Sequence, residues 1–214
     1  MSSRLHLDAA TPLEEVLDQA GQPQDGSSSG LSLLSSPNVI ALGEVGFDCT
    51  VGNWEREGKV LDEPFRLADP NKPIILHLRR TAEDKYQRAP LEECIKIAHV
   101  AGIPPHQKFH LHCFSGSFKE LTHWTQTFPE TWFGYTGMVA SFDEHQLSGL
   151  RSLNAKRFVL ETDAPYLWPR PGRRGINRPR LLGEVATVVA DARQSTTANV
   201  LERTYINARQ LYSV

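Results

Sequence analysis

The chain has 214 residues, 40% of them hydrophobic and 22% charged, and a formal net charge of −2. That length suits one domain (1–214) with a sizeable core, and the composition is that of an ordinary soluble globular protein. The near-neutral charge excludes a global pull towards polyanions, so nucleic acid would have to be held by a local basic patch.

In chain order, the first predicted strand is Ser3–Leu7, which carries His6. Thr11, Pro12 and Glu14 then have the outline of a capping box opening a helix. Residues 21–37 are rich in Gly, Ser and Pro and read as a flexible segment. From there short apolar runs alternate with amphipathic stretches. Strands are expected at Val39–Glu44, Ile74–Leu78, Phe109–Cys113, Trp132–Thr136 and Phe158–Glu161. Helices are expected at Trp54–Ala68, Arg88–Ala101, Phe118–Thr127, Asp143–Leu153, Arg180–Asp191 and Thr196–Leu211. This alternation is the pattern of βα units on a parallel sheet. A complete eightfold (β/α) barrel typically takes about 250 residues, and only six strand candidates occur here. The N-terminus has no signal-peptide apolar run, and no stretch is long enough to span a bilayer. The three cysteines (Cys49, Cys94, Cys113) form no CxxC pair, which points to reduced thiols in the cytoplasm or nucleus.

Four strand ends finish in potential metal ligands: Glu44, His77, His112 and the Glu161-Thr162-Asp163 run. Active sites of (β/α) barrels are built at that C-terminal rim. Two imidazoles and two carboxylates converging there suit Zn²⁺, Mn²⁺ or Mg²⁺. Two such ions would activate a water and stabilise a leaving oxygen. His6 is a further candidate ligand. His110 lies two residues before His112 on the same side of the strand and reads as a buried, hydrogen-bonded neighbour. His99, His106, His123 and His145 read as solvated surface residues, and Cys113 as core.

Arg170, Arg173, Arg174, Arg178 and Arg180 form the densest basic run. On a rim loop they would hold phosphates, with Tyr166 or Trp168 stacking on a base; a solvated Pro/Gly loop is an equal alternative. Arg79 shares the side of His77 and could orient a phosphate or pair with Glu44 or Asp48. Ser115-Gly116-Ser117 opens a helix, either as an anion-binding turn or with Ser117 as a plain N-cap.

Several of these stretches resemble one family. Ala41–Asp48 (ALGEVGFD), Ile75–Arg79 (ILHLR), His112–Ser117 (HCFSGS), Gly134–Gly137 (GYTG) and Glu161–Tyr166 (ETDAPY) resemble, in order, the motifs of TatD-type deoxyribonucleases. The resemblance implies a TIM-type barrel hydrolase that cleaves phosphodiester bonds of DNA, or of RNA, with two divalent metal ions (Mg²⁺, Mn²⁺ or Zn²⁺). It implies that Glu44 bridges the metals, that His77 and His112 hold one and Asp163 the other, and that Glu44 or Asp163 activates the water. Arg79, Ser115, Arg170, Arg173 and Arg174 would contact substrate. The chain departs from the family at its start: Arg4 stands where the first strand has its first histidine, and the second and third strands are missing. The expected fold is therefore α/β, a TIM-type barrel shortened by two strands. The alternatives are an amidohydrolase with a small substrate, and a degenerate family member that binds nucleic acid or protein without catalysis.

Overall fold

A computed structural model of the protein describes residues 36–50, 52–170 and 175–214. The predicted strand at Ser3–Leu7 with His6, the capping box at Thr11, most of the 21–37 segment, and Arg173 and Arg174 lie outside the described residues.

Five parallel strands form one sheet in sequential order: β1 (Leu42–Asp48), β2 (Ile74–Arg79), β3 (Phe109–His112), β4 (Thr131–Tyr135) and β5 (Phe158–Leu160). Helices α1 (Trp54–Arg66), α2 (Arg88–Val100), α3 (Phe118–Thr127) and α4 (Glu144–Ser152) connect them, and α5 (Leu182–Ala192) and α6 (Thr197–Tyr212) follow. Each strand sits beside its successor, so the units wind in one direction as in a barrel wall. Among the described residues, no helix is long and apolar enough to cross a membrane.

Alternation of side chains along each strand divides the sheet into two faces. Ile74, Leu76, Leu78, Phe109, Leu111 and Phe133 are buried in the core with helix residues such as Leu61, Phe65, Cys94, Trp124 and Val189. The other face carries Ile75, His77, His110, His112, Trp132 and Gly134. The helix starts are locally encoded: Ser117 with Glu120 and Asp143 with Gln146 form capping boxes at α3 and α4, each satisfying orphan N–H groups.

The predicted helices match to within two residues at each end. The first described strand is the exception: it runs over Leu42–Asp48 rather than Val39–Glu44. The physical reason is a bulge, in which Gly43 and Glu44 together oppose Ile75 between the pairs Leu42–Ile74 and Val45–Leu76. A bulge inserts one residue and re-aims a side chain, so pairing resumes and continues to Asp48. Gly43 and Gly46 both have φ of +147°, and a Cβ on Gly46 would lie 2.0 Å from the His77 carbonyl oxygen. Only glycine allows this close approach.

Candidate metal centre

Parallel register does most of the assembly. His77 on β2 is the direct partner of His112 on β3, and their rings stand 6.0 Å apart. The β1 bulge directs Glu44 across β2, where His77 Nδ1–H donates to Glu44 Oε1 at 2.7 Å. Asp163 follows β5 with φ of +53°, which brings its Oδ1 to 3.4 Å from His112 Nε2. Glu44 Oε1 is 3.5 Å from that same nitrogen. The four predicted ligands Glu44, His77, His112 and Asp163 are thus brought together at the C-terminal rim, and Glu44, His77 and His112 offer ligand atoms all within 4.8 Å of one another.

The donor set fits a divalent ion. His112 Nδ1–H donates to Glu161 Oε1 at 2.8 Å, which leaves Nε2 facing the carboxylates of Glu44 and Asp163. A ligating histidine held through its other nitrogen by a carboxylate is the usual arrangement around metals. The Glu161 carboxylate is the member of this set that the strand-end reading did not single out from its neighbour Asp163. Its Oε2 accepts from the Cys113 N–H at 2.9 Å. Alternation along β5 continued past Leu160 would have pointed to its inward position.

Charges here are strongly coupled. Burial raises the Glu161 carboxyl, but the adjacent His110 and His112 outweigh it and hold the group well below the usual carboxylate range. Burial lowers His112, yet Glu161 and Asp163 drive the imidazole far above its ordinary value. For Glu44, burial raises the carboxyl and the bond from His77 with the charge of His112 wins, a net lowering.

Cys113 is not a core residue, contrary to the strand reading. The strand ends at His112 and the chain turns with φ of +50° at Cys113, so alternation no longer applies. Its Sγ lies 3.1 Å from His112 Nε2, and burial pushes the thiol up to about 12. His110 is buried with Nδ1 2.8 Å from the Tyr212 hydroxyl, as expected of a hydrogen-bonded neighbour. His99, His106, His123 and His145 are exposed.

The predicted substrate contacts fare differently. Ser115 is 5% exposed and its N–H donates to Gln87 Oε1 at 2.8 Å, while the Ser117 N–H faces Glu120 Oε2. Two N–H groups of that turn are thus engaged within the chain, and Ser117 is the N-cap of α3. Arg79 Nη1 pairs with Asp48 Oδ2 at 3.2 Å. Arg170 forms a two-pronged pair with Glu184, both bonds 2.5 Å, and lies over the Trp168 ring. Tyr166 is 70% exposed.

Two amide side chains escaped the sequence reading. Gln87 Nε2 donates to Leu78 O at 2.7 Å, which together with its bond to Ser115 ties the ends of β2 and β3. Asn177 Nδ2 donates to Thr162 O and Leu167 O, fixing the loop that carries Asp163. Neither lies in a pattern that spacing reveals.

A family model described as "TatD related DNase" matches residues 19–213. The human 3′-5′ RNA nuclease TATDN2 is 29% identical over 193 residues, covering 86% of this chain and 24% of the relative. The 3′-5′ ssDNA/RNA exonuclease TatD of Klebsiella pneumoniae is 31% identical over 211 residues, 90% of this chain and 74% of the relative. An uncharacterized metal-dependent hydrolase of Bacillus subtilis, YabD, is 27% identical, with 85% and 68% covered. The chain thus spans about a quarter of the human relative and about seven-tenths of these bacterial ones. The crystal structure of YJJV, a TatD homolog from Escherichia coli K12, superposes with a TM-score of 0.70 at 24% identity, over 94% of this chain and 70% of that one. An uncharacterized amidohydrolase from Saccharomyces cerevisiae gives 0.67 at 16% identity, over 92% and 68%. These likenesses establish the fold, a TIM-type barrel wall with five strands described.

Proposed function

The chain belongs to the TatD-related DNase family, and on that premise we propose that it is a metal-dependent nuclease that hydrolyses phosphodiester bonds of single-stranded DNA or RNA from the 3′ end. One observation carries the reading: Glu44, His77, His112 and Asp163 converge at the rim, with His112 Nε2 between two carboxylates and Nδ1 held by Glu161. The names of the relatives support single-stranded DNA and RNA as substrates and 3′ polarity.

Two divalent ions bound by these residues would lower the pKa of water and stabilise the leaving oxygen. Glu44, whose Oε1 lies near both His77 and His112, would help to hold them, with Asp163 as the further carboxylate ligand. The side chains of Glu44, His77 and Asp163 are about a third exposed, and those of His112 and Glu161 about an eighth. Substrate and water therefore reach the first three, while the last two form the floor. The Asp163 carboxylate, about a third exposed on the rim, is positioned to take the proton of the attacking water.

The test uses oligonucleotides labelled at either end, with Mg²⁺, Mn²⁺ or Zn²⁺ and with chelator. Metal-dependent shortening from the 3′ end is expected, with Glu44→Ala and Asp163→Ala each losing at least about 100-fold in rate. Full activity in either variant, or in chelator, would overturn the proposal.

A further inference from the structure

We propose that His110 and Tyr212 are positioning residues for the metal ligand His112, acting through the Glu161 carboxylate. This inference rests on the metal reading above.

The contacts form one continuous chain. Tyr212, in the last turn of α6, places its hydroxyl 2.8 Å from His110 Nδ1. The other ring nitrogen of His110, Nε2, stands 2.9 Å from Glu161 Oε1, a close polar contact whose angle falls short of a hydrogen bond. That same oxygen accepts from His112 Nδ1, and Oε2 accepts from the Cys113 N–H. Glu161 is thereby contacted from three sides, and the ring of His112 is fixed with Nε2 towards Glu44 and Asp163. A ligating imidazole depends on such a partner for its tautomer and orientation.

Two further features show that this is a built arrangement. His110 is 4% exposed, in a strand where an apolar side chain would serve packing alone. Gly134, on the adjoining strand, supplies the space: a Cβ there would lie 2.1 Å from Glu161 Oε2 and 2.7 Å from His110 Nε2. The end of α6 is anchored beside it, where Leu211 and Tyr212 pack with Trp132 and Val159. The last helix of the chain therefore reaches the metal site through polar contacts as well as through packing.

The experiment titrates Mn²⁺ calorimetrically into the full chain after chelator treatment, with thermal unfolding of the metal-free protein measured in parallel. His110→Leu is expected to weaken Mn²⁺ binding about tenfold or more. His110→Gln, which can return an N–H near the Nε2 position, is expected to recover most of that loss. Tyr212→Phe removes one hydroxyl and is expected to weaken binding about two- to fivefold at a nearly unchanged unfolding temperature. Unchanged Mn²⁺ affinity in folded His110→Leu overturns the inference, as does equal loss in the Leu and Gln variants. Should His110→Leu fail to fold, Tyr212→Phe decides alone, and wild-type affinity there overturns it. A wild-type chain that binds no Mn²⁺ overturns the metal reading itself, which separates the two failures.

Discussion

His77 and His112 are partners in register on adjoining strands, yet they belong to different environments. The His112 side chain is 13% exposed, tied to Glu161 and surrounded by Cys113, Glu44 and Asp163; that of His77 is 36% exposed and meets Glu44 at the rim. The same contrast runs through the wider site. Its floor is built from buried groups with several partners each, whereas Arg79 and Arg170 on the rim are exposed and each is paired with one carboxylate, Asp48 and Glu184 respectively.

The sharpest way to break this contrast is to remove each histidine from the metal-free chain. His112→Ala leaves the buried Glu161 charge poorly compensated and is expected to cost about 3 kcal/mol of unfolding free energy. His77→Ala should cost less than about 1 kcal/mol, as for other exposed pairs. Equal costs in urea unfolding would show that the floor is no more structural than the rim. Gly134→Ala should come next, at about 1–3 kcal/mol, because the added methyl must displace Glu161 or His110; a crystal structure of the variant would show which one moves.

The dependence of stability on pH sharpens the picture further. Glu161 is depressed below its ordinary 4.5, so its contribution is present above that pH and is lost as pH falls. His112 is raised above its ordinary 6.5, so its contribution is full below 6.5 and shrinks as pH rises. The sign follows from which state binds more protons. From this pair, the unfolding temperature of the metal-free chain should be highest between these two values and fall on both sides. Added metal should flatten the alkaline decline, because the ligand is then deprotonated in the bound state. The smallest effect is expected on the rim. Arg170→Ala should change stability by less than about 1 kcal/mol and lower the salt dependence of oligonucleotide binding by about one phosphate contact. A large loss of stability there would place Arg170 with the floor.

Much of this was legible in the sequence. The helices followed from amphipathic periodicity and from caps such as Ser117–Glu120, because both signals are local. The convergence of Glu44, His77, His112 and Asp163 was legible because each ends an apolar run in a repeating βα pattern. The β1 boundaries were misplaced because the bulge at Gly43–Glu44 depends on how β2 lies alongside. Cys113 was misread because alternation ceases where the backbone leaves the strand. The partner of the Ser115 N–H was not legible, because Gln87 lies 28 positions earlier, a distance over which no spacing rule operates.

The sequence by itself determined the class of fold, the order of its units and the residue types at the rim, since hydrophobic period, caps and motif spacing act within a few residues. Only the tertiary structure decided which of those groups form the floor and which remain on the rim. That division depends on register across strands, on the space left by Gly134 and on a tyrosine 102 positions beyond His110. Burial and partner choice are properties of groups brought together from distant parts of the chain, and they set the charge, orientation and accessibility on which the site depends.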